Sequence, residues 1–147
     1  MKNILLFISL AGLLLLAGCV SGSRPPIKGS RQATIAMTVT AYCPCGECCG
    51  YRRGFFGIPI YTSGPLKGKV KKVGITADGT KAKKGTIAAD TSMYPFGTHM
   101  YIPGYGWGVV HDVGGDIKGN HIDIFFSSHQ QALDWGRQRL QVKVVWE

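Results

Sequence analysis

Beyond residue 34 the apolar residues of this chain arrive in short bursts, and glycine or proline closes nearly every one. The first burst is the clearest. Between Thr34 and Tyr42, Ile35, Met37, Val39 and Ala41 alternate with mostly polar neighbours, which is the period of a strand with one buried face. Comparable stretches follow at residues 86–89, 100–102, 107–111, 121–126 and 140–146. Only residues 128–135 read as helical, with Ser127 or Ser128 to cap the segment, Ala132, Leu133 and Trp135 to pack and Gly136 to stop it. One short helix near the C-terminus among many strands predicts an all-β fold, a small β-barrel.

The first residues have a different character. Lys2, an apolar run over residues 4–16 and then Leu16-Ala17-Gly18-Cys19 give the charged, hydrophobic and small-residue regions of an export signal in order. A cysteine directly after Leu-Ala-Gly resembles the bacterial lipobox, which implies that Cys19 carries a lipid and becomes the mature N-terminus. Residues 1–18 are then the signal peptide. Residues 19–33, with Ser21, Gly22, Ser23, Pro25, Pro26, Gly29 and Ser30, read as a flexible tether, and residues 34–147 form one domain. With Val20 rather than aspartate after the cysteine, lipoprotein sorting implies the outer membrane, with the domain facing the periplasm.

The formal charge is +9, and loss of residues 1–18 removes only Lys2. A strongly basic exported domain calls for an anionic partner at the wall or the membrane surface. Nucleic acid is excluded by the export signal and by the absence of a nucleic-acid-binding motif.

Residues 50–74, rich in glycine and lysine and holding Phe55, Phe56, Ile58, Pro59, Ile60 and Tyr61, show no sustained period. They read as a long loop with room for a short hairpin. The aromatics are suited either to stacking on sugar rings or to packing beneath the loop.

The densest chemistry lies in His111-Asp112-Val113-Gly114-Gly115-Asp116-Ile117-Lys118-Gly119-Asn120-His121-Ile122-Asp123, two strand-like pieces around a glycine-rich connection. If Ile122 and Ile124 face the core, alternation turns Asp123 to the opposite face, where Asp112 can be its neighbour. Two close carboxylates do not both ionise cheaply, so one keeps a proton and becomes a general acid. The same aspartates also suit the capping of tight turns, which is the role expected of Asp116.

This segment resembles the signature shared by three-aspartate (3D) domains and the membrane-bound lytic transglycosylase A family. Upstream, Gly85-Thr86-Ile87-Ala88-Ala89-Asp90 and Tyr94-Pro95-Phe96-Gly97-Thr98 resemble the family's first-aspartate segment; downstream, Ala132-Leu133-Asp134-Trp135-Gly136-Arg137 resembles its closing helix. The resemblance implies a double-psi β-barrel and cleavage of peptidoglycan glycan strands between N-acetylmuramic acid and N-acetylglucosamine, with 1,6-anhydromuramic acid as product. It implies Asp123 as acid/base, Asp112 as its partner and Asp90 as an orienting or substrate-binding residue. No cofactor is expected. Two other readings remain: a peptidoglycan-binding lipoprotein without activity, and a polysaccharide hydrolase, which requires a second carboxylate to activate water.

Cys43-Pro44-Cys45-Gly46-Glu47-Cys48-Cys49 places four cysteines within seven positions. Disulfides and a metal are the two accounts. Oxidation is the default in an exported chain, and a compressed cluster fits poorly the separated knuckles of a tetrathiolate zinc site. The four are therefore read as structural disulfide candidates, with no metal expected. His111 and His121 are read as partly buried groups paired with a backbone carbonyl or lining the groove.

Overall fold

Alternation from Met37 onward sends Met37 and Val39 inward and threonines outward, and the strand so formed, β1, runs over Arg31–Tyr42. This computed structural model describes residues 30–146. The signal peptide, Cys19 and all but the end of the tether lie outside the described residues. β1 begins inside the span read as tether because residues 31–39 form an antiparallel ladder with the C-terminal strand, and ladder pairing orders a segment whose composition suggests a linker.

The remaining barrel strands are β4 (Thr86–Ala88), β5 (His99–Ile102), β6 (Gly106–Asp112), β7 (His121–Phe125) and β8 (Gln138–Trp146). They close in the order β1-β7-β4-β6-β5-β8, with β8 returning to β1. β1 and β7 are parallel, as are β4 and β6, and the other neighbours are antiparallel. This is the small, closed, interleaved double-psi barrel expected. Closure gives each of the six barrel strands a neighbour on both sides.

The interior is aliphatic. Met37, Val39, Ile87, Met100, Val110, Ile122, Ile124 and Val144 are fully buried, each contributing about 1.5–3 kcal/mol through removal from water. Gly108 allows β4 and β6 to approach, since a Cβ there would lie 2.7 Å from Ile87 Cδ1 and 2.8 Å from the Gly85 carbonyl oxygen.

The helix near the C-terminus, α2 (His129–Trp135), stops at Gly136, whose φ is 64°. Ser128 occupies the cap position but makes no side-chain capping bond, a departure from the expected cap. α2 is held by packing instead: Trp135 lies against Tyr105 and Phe126. Two features precede the barrel's second half. A single helical turn, α1 (Gly46–Cys49), follows β1, and β2 (Tyr51–Arg53) and β3 (Pro59–Tyr61) form the hairpin for which the sequence left room. Phe55 and Phe56 at its tip are exposed and touch each other edge to face.

Candidate active site

Ile122 and Ile124 point into the barrel, so Asp123 between them points out. Its Cα partners are Thr40 on β1 and Ala88 on β4. Ala88 is in turn the partner of Asp112 on β6. Paired positions share a face of the sheet, so Thr40, Asp123, Ala88 and Asp112 form one row across four strands of the barrel's outer surface. The methyl of Ala88 leaves a low floor between the two carboxylates.

The placement of Asp112 depends on an irregularity. Ile87 pairs with Val110, but Ala88 pairs with Asp112, so β6 bulges at His111. A bulge inserts one residue and re-aims those beyond it; without it, Asp112 would follow the inward parity of Val110. The extra residue is satisfied from outside the ladder. The His111 carbonyl accepts the Asp78 amide at 3.2 Å, and His111 Nδ1 lies 2.6 Å from Asp78 Oδ2. His111 thus belongs to a turn-docking pair with the Asp78 carboxylate.

The two carboxylates have different surroundings. Asp112 Oδ1 accepts the amides of Ala77 and Val113 at 3.0 and 2.9 Å, and its Oδ2 accepts the Tyr42 hydroxyl at 3.1 Å. Asp123 accepts one side-chain bond, from the Thr40 hydroxyl at 2.8 Å. Burial raises the pKa of Asp123 above the usual carboxylate range; the Thr40 bond and His121 oppose that rise, and the charge of Asp112 adds to it. Thr40 Oγ1 is also 3.0 Å from His121 Nε2, and the other ring nitrogen of His121 is 3.3 Å from the Asp116 carbonyl oxygen. His121, Thr40 and Asp123 therefore form a hydrogen-bonded relay.

Asp90 stands apart in its bonding. Its Oδ1 accepts the hydroxyl and amide of Ser92 at 2.6 and 3.1 Å, and its Oδ2 accepts the Gly119 amide at 2.9 Å. These bonds, the Ser92 hydroxyl foremost, hold its carboxyl below the usual range. Gly119 has φ of 60°, the left-handed conformation glycine adopts without strain. Asp90 thereby ties the segment after β4 to the glycine-rich connection between the two other aspartates. Thr40, Tyr42 and Asp78 were not anticipated from sequence. Thr40 is legible once β1 and β7 are known to be parallel; Tyr42 and Asp78 are brought in by contacts across 70 and 33 residues.

In this structure the four cysteines read as disulfide candidates are not bonded to one another. All four are free thiols, and Cys43, Cys45 and Cys48 converge on Nδ1 of His129, the first residue of α2. The donor atoms of these four residues lie within 4.8 Å of one another, whereas Cys49 turns its thiol to the Cys43 carbonyl at 3.1 Å. A depression lined by Cys45, Glu47, Tyr51, Thr62 and His129 opens beside this cluster; none of the three aspartates lines it.

Part of this sequence is shared with known proteins. The chain is 41% identical over 76 residues to the cell wall-binding protein YocH of Bacillus subtilis, covering 49% of this chain and 26% of YocH. It is 36% identical over 76 residues to the putative cell wall shaping protein YabE of the same organism, of which it covers 19%. The chain thus spans about a quarter or less of these relatives. Among solved structures it resembles MltA of Escherichia coli, at 24% identity and a TM-score of 0.42, covering 53% of this chain and 29% of that one. A structure of MltA with bound chitohexaose is similar at 23% identity and a TM-score of 0.43, covering 49% of this chain and 27% of that one. The family model of the 3D domain matches residues 85–146, the span that holds Asp90, Asp112 and Asp123.

Proposed function

We propose that the protein is a lytic transglycosylase that cleaves peptidoglycan glycan strands, with Asp123 as its acid/base. The observation that carries this reading is the contrast between the two outer-face carboxylates. Burial raises the pKa of Asp123, and Asp123 shares with Asp112 the row that crosses Ala88. A carboxyl whose affinity for its proton is raised by burial is suited to protonating a glycosidic oxygen.

In the cleavage, Asp123 donates its proton to the leaving oxygen. The same carboxylate then takes the proton of the muramic C6 hydroxyl as that oxygen attacks the anomeric carbon and closes the 1,6-anhydro ring. One group serves both steps. Asp112 accepts three hydrogen bonds, which fix its carboxylate in the row with Asp123. Asp90 holds the connection between Asp112 and Asp123 through the Gly119 amide.

Incubation of the protein with purified peptidoglycan, followed by mass spectrometry of the soluble products, tests this directly. Release of 1,6-anhydromuramic ends by the wild type and not by Asp123→Asn is the expected result; reducing ends identify a hydrolase instead. The relatives named for the cell wall favour one second reading, a wall-binding module, which is the outcome if glycan is retained and nothing is released. A lipid on Cys19, holding the domain at the outer membrane in the cell envelope, completes the proposal. It predicts fatty-acid labelling that Cys19→Ala abolishes.

A further inference from the structure

The connection after β1 holds chemistry that the aspartate row does not use. Three of its four sulfurs and one imidazole nitrogen surround a common point. Nδ1 of His129 is 3.6 Å from Cys43 Sγ, 3.4 Å from Cys45 Sγ and 3.6 Å from Cys48 Sγ, and Cys43 Sγ is 3.7 Å from Cys48 Sγ. A tetrahedral zinc ion binds sulfur at ~2.3 Å and imidazole nitrogen at ~2.0 Å, which sets sulfur–sulfur edges of about 3.8 Å and sulfur–nitrogen edges of about 3.5 Å. The measured separations are those edges.

Two further features point the same way. His129 Nε2 lies 3.2 Å from Glu47 Oε2, so the nitrogen facing away from the sulfurs meets a carboxylate. That is the partner that fixes the tautomer of a metal-bound histidine and leaves the other nitrogen's lone pair for the ion. Cys45 Sγ accepts the Cys48 amide at 3.4 Å, a bond that orients the sulfur as an acceptor, as a thiolate ligand requires.

Disulfides do not account for this arrangement. They consume sulfurs in pairs, and an odd number converges here, with the fourth, Cys49, occupied by the Cys43 carbonyl. Nor do disulfides give His129 a role. We propose that Cys43, Cys45, Cys48 and His129 bind one zinc ion. Four protein donors fill the tetrahedron and leave no open position, so the site is structural. Soft thiolates with one imidazole select zinc over the hard divalent cations. The ion ties the turn after β1 to the start of α2, across more than 80 residues of sequence. This replaces the expectation of disulfides without metal, and it stands independently of the wall-cleaving reading. The objection that the cysteines are too compressed fails because the fourth ligand comes from a separate element.

The test is the zinc content of the full chain, purified without chelator, measured by elemental mass spectrometry with parallel thiol counting. One zinc per chain is expected in the wild type and in Cys49→Ser, with at least tenfold weaker retention against a chelator in His129→Ala. Cobalt exchanged into the wild type is expected to give thiolate-to-cobalt charge transfer and tetrahedral d–d bands. A metal-free wild type, whether reduced or with its cysteines oxidised in pairs, overturns the proposal. So does undiminished zinc affinity in His129→Ala. Because the wild type and Cys49→Ser carry the first reading, a folding defect in the ligand variants does not blunt the experiment.

Discussion

Asp112 stands opposite Ala88 because β6 slips by one residue at His111. A regular ladder would have put His111 in that place and turned Asp112 toward the barrel interior. The slip is sustained by the turn around Asp78, whose amide and carboxylate meet the carbonyl and ring of His111 while the neighbouring Ala77 amide bonds Asp112 itself. A bulge and the loop that docks on it therefore set the outer-face row.

Asp123→Asn is expected to stabilise the fold near neutral pH while abolishing activity. Burial raises the Asp123 carboxyl in the folded state, so its contribution to stability is fully present below the unfolded pKa and is lost as pH rises through the folded one. Asparagine keeps the oxygen that accepts from Thr40 and carries no charge to desolvate. A melting temperature a few degrees above wild type is expected at neutral pH, with the difference closing as pH falls below about 3.9, the ordinary value for aspartate. An equal or lower melting temperature at neutral pH would falsify the desolvated state of Asp123.

Thr40→Val removes the one side-chain bond that favours the ionised form of Asp123. Valine is similar in shape and suited to a strand, so the barrel is expected to persist. The carboxyl should then keep its proton to higher pH, and the alkaline limb of the pH–rate profile should move upward. The maximal rate should fall about tenfold, with the relay to His121 broken. An unchanged limb would mean that Thr40 does not tune the acid.

Much of this architecture is written in local pattern. β1, β4, β5, β6, β7 and β8 all fall on apolar stretches, because alternation and glycine punctuation are properties of adjacent residues. The outward turn of Asp123 follows from the same parity. What local pattern does not carry is register. The bulge at His111 is invisible because His111 and Asp112 read as consecutive strand residues, and its cause, Asp78, lies 33 residues away. His129 likewise looks like a helix-opening residue until the barrel brings α2 against the cysteine turn. Ser128 shows the converse: a good capping residue is present, but tertiary packing of Trp135 decides where the helix sits.

Gly108 on β6 leaves no room for a side chain against Ile87 of β4 and the Gly85 backbone. Gly108→Ala would place a methyl 2.8 Å from the Gly85 carbonyl, which is backbone, and 2.7 Å from the fully buried Ile87. Neither neighbour yields freely in a packed interior. A loss of about 1–3 kcal/mol is expected, read from urea unfolding as a lower midpoint with an unchanged slope. A neutral result would show that the two strands can separate without cost.

Asp90 separates chemistry from positioning. Both its oxygens are taken by Ser92 and Gly119, and Gly119 belongs to the connection that carries the chain from Asp112 to Asp123. Asp90→Ala leaves the Gly119 amide without its acceptor, and the expected result is faster hydrogen exchange over residues 114–120 with the barrel strands unchanged. Activity should fall by less than for Asp123→Asn, because the acid/base remains in place and only the connection between Asp112 and Asp123 is loosened. Asp90→Asn, which keeps an acceptor oxygen for Gly119, should recover part of both losses. Were Asp90 instead a proton donor or acceptor in the cleavage, asparagine would restore the exchange pattern and recover no activity, and that divergence is what the paired variants measure.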